Sequence, residues 1–333
     1  MSSLLGRTVD GRYRIEALLG EGAVGAVYRV IEISTGRVLA LKQWSASALD
    51  AEVRRRFLRE ASALDVLDHP NIVKVFGHGV AGNVPYMVLE YLPGKTLETL
   101  LGERGALDVA LAMDIARQAL SAIAYAHQHN VVHRDIKPEN IVLMTAGSGR
   151  LQAKILDYGL AKFMAPTGDP IKDKTLTATG TVVGTLLYMP PEQATGVSVD
   201  LPVDVYAMGC VLFEMLTGRL PFEGGSRMEL LKAHMGDPIP KLAELRSDIP
   251  QAPLLQALID RALAKKQTER YPHAGAMLAD LERIDARASQ TPAARVSARS
   301  PRTDHTRRRS PLLFAIGVAV VAAIAVVLTL LRD

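Results

Sequence analysis

The run His133-Arg134-Asp135-Ile136-Lys137-Pro138-Glu139-Asn140 decides how this sequence is read. It follows a helical pattern over residues 107–129, in which Leu111, Ile115, Ala119 and Ile123 recur at helical spacing. It precedes the short apolar run Ile141-Val142-Leu143, so it occupies a loop between packed elements. Asp135 is placed to accept a hydroxyl proton, and Lys137, two residues on, to face a transferring phosphate. Seventeen residues beyond Asn140 lies Asp157-Tyr158-Gly159. Asn140 and Asp157 carry the hard oxygen donors that Mg²⁺ prefers, with phosphate oxygens and waters completing its shell. Eight positions in register with that downstream triplet are too many for surface decoration.

Working toward the N-terminus, Gly20-Glu21-Gly22-Ala23-Val24-Gly25-Ala26-Val27 spaces its glycines so that backbone amides approach phosphate oxygens without a Cβ clash. A dinucleotide-binding turn would need a helix directly after the third glycine. Here Ala26-Val-Tyr-Arg-Val-Ile continues as a strand, so the glycines are expected to cap a hairpin. Lys42 closes the apolar strand Leu39-Ala40-Leu41-Lys42. It reads either as an edge lysine that snorkels to water or as one half of an ion pair. A helix expected near residues 51–67 puts Val53, Phe57, Leu64 and Leu67 on one face together with Glu60, the sensible partner for Lys42.

Residues 13–90 read mostly as strands with one helix, and residues 95–283 mostly as helices. This is an α+β order with segregated lobes. In a chain of 333 residues with 48% hydrophobic composition, a sizeable core is available and a disordered or fibrous protein is excluded. Residues 203–217 are apolar nearly all round, which predicts a buried helix closed by Gly218. The single cysteine, Cys210, lies within it, so an internal disulfide is impossible and a packed, inert thiol is expected.

The net charge of +4 is local. Residues 286–311 hold seven arginines against one acid, Asp304, which leaves the first 285 residues mildly acidic. That basic stretch, rich in Ser, Thr, Pro and Ala, reads as a linker over residues 285–311. It is either a contact for anionic lipid or a solvated spacer. It lacks aromatic or groove-reading elements, so nucleic acid is not an expected partner. Residues 312–331 then carry no charge. Twenty residues at 1.5 Å rise span about 30 Å, so a single transmembrane helix is expected, and Arg307-Arg308-Arg309 before it keeps the rest in the cytoplasm. Ala315, Ala319 and Ala323 form a small-residue stripe that would let two such helices pack as a homodimer. The N-terminus has no long apolar core and is not read as a signal peptide.

Over residues 13–284 the chain resembles the eukaryotic-type (Hanks-type) serine/threonine protein kinases, most closely the bacterial membrane-anchored members. The resemblance implies a two-lobed fold, with an N-lobe over 13–90, a hinge over 90–94 and a C-lobe over 95–284. It implies ATP and Mg²⁺ as cofactors, Mn²⁺ being able to stand in, and protein substrates bearing Ser or Thr. Gly20, Glu21, Gly22, Ala23, Val24 and Gly25 would cover the phosphates, and Lys42, paired with Glu60, would hold the α- and β-phosphates. Leu19, Val27, Ala40 and Val142 would sandwich the adenine against the hinge residues Glu90 and Leu92, behind Leu89. Asp135 would be the catalytic base with Lys137 beside it, and Asn140 and Asp157 would hold the metal. Thr185 would contact Asp135 and Lys137. Thr177 and Thr179 match autophosphorylation positions, with Arg134 as the dock for a phosphothreonine. Asp204 would hold the catalytic loop, and Glu192 and Arg270 would form a buried ion pair. Tyr158 stands where Phe is usual, and its hydroxyl wants a partner. A non-catalytic scaffold is disfavoured by intact Lys42, Asp135, Asn140 and Asp157. A small-molecule phosphotransferase is disfavoured by Thr185 and the threonine-rich segment around it.

Overall fold

A computed structural model describes residues 4–22, 25–44, 51–145, 147, 149–158, 186–195 and 200–290. Ala23, Val24, Gly159, Thr177, Thr179, Thr185 and the expected membrane helix at 312–331 lie outside the described residues, as does the side chain of Glu60.

The short alternating runs near the N-terminus pair as a six-stranded antiparallel sheet. Its strands are β1 (Thr8–Val9), β2 (Tyr13–Gly22), β3 (Gly25–Glu32), β4 (Val38–Trp44), β5 (Val75–Ala81) and β6 (Val84–Glu90), in the order β1-β2-β3-β4-β6-β5. The glycines do cap a hairpin: Gly22 pairs with Gly25 across β2 and β3. A Cβ on Gly25 would fall 1.9 Å from the Gln43 carbonyl oxygen, so only glycine lets β3 approach β4 at that point. Side chains alternate along β4. Leu39 and Leu41 bury on the outer face with Tyr13, Ile15, Val30 and Val88, whereas Ala40 and Trp44 enter the main core. Lys42, between those two, therefore projects from the inner face.

Helix α1 (Ala51–Leu64) lays Phe57, Ala61 and Leu64 into that core. It stops three residues short of the sequence expectation. The chain tightens there, with Asp65 N donating to Ser62 O and Leu67 N to Leu64 O, and Pro70 follows. Leu67 stays buried all the same.

The second half is mainly helical. Helix α2 (Leu97–Arg104) is followed by α3 (Val109–Gln128), whose N-cap Asp108 accepts from the amides of Ala110 and Leu111. Later come α4 (Pro191–Thr195), α5 (Pro202–Thr217), α6 (Arg227–Gly236), α7 (Leu242–Leu245), α8 (Ala252–Ala262) and α9 (Ala274–Gln290). A small sheet of β7 (Lys95–Thr96), β8 (Ile141–Thr145) and β9 (Leu151–Ile155) brackets the loop that carries Asp135. Helix α5 is buried nearly all round, as its sequence predicts, and packs against α3, α8 and α9. Helix α3 is the one described helix long and apolar enough to cross a bilayer, and half of it is buried inside this lobe.

The two halves are stitched together by backbone. Val73 N donates to Ile155 O and Ile155 N to Asn71 O, so β9 is bonded to the segment that leads from α1 into β5. Residues Met1–Thr291 form one compact unit. Helix α9 continues to Gln290, into the stretch read as linker, where Ala286, Arg287 and Ala288 are strong helix formers and Asp285 accepts from Arg117 at 2.7 Å.

Gly218 closes α5 in the left-handed conformation, φ 69°, with its amide on Glu214 O. A Cβ there would lie 2.7 Å from Ala106 N. Gly218→Ala is expected to lower unfolding stability by about 1–3 kcal/mol, read as a shifted urea midpoint at unchanged slope.

Candidate functional site

The site is built on a buried carboxylate. Asp204, in the first turn of α5, is 1% exposed. Its Oδ2 accepts from His133 N at 2.8 Å and from His127 Nε2 at 2.9 Å, and its Oδ1 accepts from Arg134 N at 2.8 Å. Burial alone would raise its pKa. The bond and charge of His127, with those of His133, outweigh burial and hold the carboxyl below its ordinary value. Two consecutive amides can converge on one carboxylate because Arg134 is left-handed, φ 65°. His133 is fully buried, and burial keeps its pKa below the usual value. Its Nε2 donates to Leu156 O at 2.6 Å, and its Nδ1 accepts from Asp135 N at 3.2 Å. The ring is thereby fixed as the neutral Nε2–H tautomer.

This scaffold aims the reactive groups. Lys137 Nζ lies 3.3 Å from Asp135 Oδ2. Asn140 Nδ2 donates to the Asp135 carbonyl at 2.7 Å and to Asp135 Oδ2 at 3.0 Å. The Asn140 amide oxygen is thus the atom left for a cation, and the Asn140 carbonyl accepts from Leu156 N, next to Asp157. Asp157 is also left-handed, φ 52°. Its Oδ2 accepts from Lys42 Nζ at 2.6 Å, across 115 residues of sequence. Burial would raise the Asp157 pKa, but the charge and hydrogen bond of Lys42 outweigh it and hold the carboxyl below the usual range. A carboxyl lowered on folding stabilises the fold above its unfolded pKa, and that share is lost as pH falls through the lowered value. Lys42, Asp135, Lys137, Asn140 and Asp157 therefore meet in one cleft, and a hard-oxygen pair beside two ammonium groups suits a metal-bound phosphate chain.

The residues expected to face an adenine are apolar. Ala40, Leu89 and Val142 are buried, and Val27 and Leu92 are half-buried against the same core. Leu19, at the hairpin mouth, is 46% exposed. Gly20, Glu21 and Gly22 end β2 above it. Glu90, at the end of β6, turns its carboxylate onto Lys154 Nζ of β9 at 2.6 Å. Nothing in the sequence spacing signals this pair: β6 and β9 belong to different sheets, and the backbone bonds of Ile155 to Asn71 and Val73 tie β9 to the segment leading into β5.

Tyr158 is 5% exposed and lies against the His133 ring, with centroids 4.6 Å apart. It lines a cavity of about 10 Å³ with Leu64, Leu67, Ile72, Val75, Met87, Leu89 and Asp157. Its hydroxyl has no hydrogen-bond partner among the described residues. Further off, Arg270 is fully buried and forks onto Glu192, Nη1 to Oε1 at 2.6 Å and Nη2 to Oε2 at 2.8 Å. Cys210 is buried, and burial pushes its thiol pKa up.

A sequence profile of the protein kinase domain matches residues 13–280, and the chain belongs to that family. It is homologous to the bacterial Hanks-type serine/threonine kinases. It is 38% identical over 280 residues to serine/threonine-protein kinase PrkC of Bacillus subtilis, covering 84% of this chain and 41% of that one. It is 37% identical over 283 residues to serine/threonine-protein kinase pkn3 of Myxococcus xanthus, covering 84% and 51%. The chain thus spans about two fifths to one half of the length of these curated relatives. Among solved structures, the PknI kinase domain of Mycobacterium tuberculosis superposes with a TM-score of 0.65 at 27% identity, covering 85% of this chain and 99% of that one. Rad53 1-466 in complex with AMP-PNP superposes with a TM-score of 0.65 at 29% identity, covering 80% and 64%.

An unsatisfied buried hydroxyl costs about 1–3 kcal/mol. Tyr158→Phe removes it without opening space, so the variant is expected to melt higher than the wild type by several degrees in differential scanning calorimetry. A lower melting temperature would show that the hydroxyl is satisfied in solution.

Proposed function

We propose that the chain is a serine/threonine protein kinase that uses ATP and Mg²⁺ and is anchored to a membrane by residues 312–331. The observation that carries this reading is the meeting of Lys42, Asp135, Lys137, Asn140 and Asp157 in one cleft from three separate stretches of chain. The neighbour Rad53, in complex with AMP-PNP, supports a nucleotide in this cleft.

In this reading the glycine hairpin covers the phosphates and Lys42 neutralises the α- and β-phosphates, with Glu60 of α1 as its further partner. The adenine lies between Val27, Ala40 and Val142, along the hinge backbone at 90–92. Asn140 and Asp157 would hold Mg²⁺, which when bound offsets the charge of the phosphate chain. Asp135 accepts the proton of a serine or threonine hydroxyl as its oxygen bonds to the γ-phosphorus, and the bond from that phosphorus to ADP breaks. Lys137 stands over the charge on the transferring group. Asp204 and His133 keep the loop in register, so the proton acceptor and the metal ligand stay a fixed distance apart. Thr185 is assigned to Asp135 and Lys137, and Thr177 and Thr179 to autophosphorylation with docking on Arg134.

The catalytic assignment is tested with Mg²⁺ and γ-labelled ATP. Wild type is expected to label a generic protein acceptor and its own segment 159–185. Asp135→Asn is expected to lose about 10²–10⁴-fold in transfer. Equal labelling by both would overturn the kinase reading. The anchor is tested by fractionation: full-length chain is expected in the membrane pellet, and chain lacking residues 312–333 in the supernatant with its melting transition intact. Retention of the truncated chain in the pellet would overturn the assignment of that segment.

A further inference from the structure

Trp44 is the only tryptophan in the chain, and it stands two residues beyond Lys42 on β4. The alternation of that strand puts residues 40, 42 and 44 on the inner face. The indole is 2% exposed. It meets Phe57 of α1 edge-on, with centroids 5.1 Å apart and planes at 63°. The Lys42 ammonium lies 5.4 Å from the centre of the same ring, within cation–π range, while it donates to Asp157. The indole Nε1 has no hydrogen-bond partner among the described residues, so the contacts described for the ring are made by its faces and edges. A single side chain thus touches both the ammonium and the helix, one turn before residue 60.

We propose that Trp44 is a positioning residue for Lys42: its ring holds the ammonium in the cleft and ties that position to the seat of α1 through Phe57. An aliphatic side chain at residue 44 would fill the core but present no negative ring face to the ammonium. This inference rests on the reading of Lys42 as the lysine that meets the nucleotide phosphates. Phosphates that reach the ammonium change the charge beside the indole while the ring keeps the ammonium in place. The ring therefore senses binding as well as shaping it.

The test uses the full chain and three measurements. Calorimetry with Mg²⁺ and AMP-PNP establishes whether nucleotide binds at all, and absence of binding defeats the kinase reading rather than this one. With binding established, the emission of the lone tryptophan is expected to shift on saturation with AMP-PNP. Steady-state kinetics then separates the variants: Trp44→Leu is expected to raise the KM for ATP about 2- to 30-fold with a smaller change in kcat, and Trp44→Phe to stay near wild type. A Trp44→Leu variant with wild-type melting and wild-type KM would overturn the proposal. If Trp44→Leu does not fold, the emission of the wild type decides. A spectrum unchanged at saturation overturns the proposal, and a shift supports it.

Discussion

Everything in the cleft depends on one buried negative charge, Asp204. A carboxylate at 1% exposure is costly unless donors surround it. Here three donors do so, and two of them are the consecutive amides of His133 and Arg134. The third, the His127 imidazole, accepts at its other nitrogen from Ala274 N, the first amide of α9. One side chain thereby joins α3, α5, α9 and the reactive loop. Removing the carboxylate would leave two amides buried and Arg134 without a reason to keep a left-handed backbone. Strain of this kind persists only where the surroundings over-determine it.

The sequence disclosed the elements better than their partners. The glycine hairpin was legible because a β-rich run followed the third glycine directly, and α5 was legible because apolar residues on every side leave it no exposed face. Periodicity says which face a residue occupies but not what lies opposite. Sequence spacing left Lys42 as an edge lysine or a partner of Glu60, whereas its bond to Asp157 closes across 115 residues and needed the fold. Lys154 and Glu90 meet only because β9 runs beneath the end of β6. The end of α9 was misjudged from composition: a stretch rich in Ala and Arg suits a helix as well as a spacer, and Arg117 on α3 decides by pairing with Asp285. The sequence shows a hydroxyl at Tyr158 that wants a partner, but only the fold sets it among Leu, Ile, Val and Met side chains with no partner among the described residues.

Charge in the cleft is arranged as opposed pairs rather than as a field. Lys42 faces Asp157, Lys137 faces Asp135, and Lys154 faces Glu90 just behind. The ammonium groups are held in place by these acids, the groups that in the proposed function would share phosphates and metal with them. Little reorganisation is then needed on binding, because the polar groups are already oriented. The left-handed backbones of Arg134 and Asp157 serve the same end, turning two acid-bearing segments toward a common point.

The 115-residue span between Lys42 and Asp157 also bears on how the molecule is made. The six strands of the first sheet are complete by Glu90, long before Asp157 is translated. At ribosomal speeds the interval is on the order of ten seconds. During it the residues that will pack with Ala40, Trp44, Phe57, Met87 and Leu89, from α3 to β9, are still being synthesised. The same separation that lets the site draw on distant parts of the chain leaves the N-terminal half without part of its core partners until the second half has emerged.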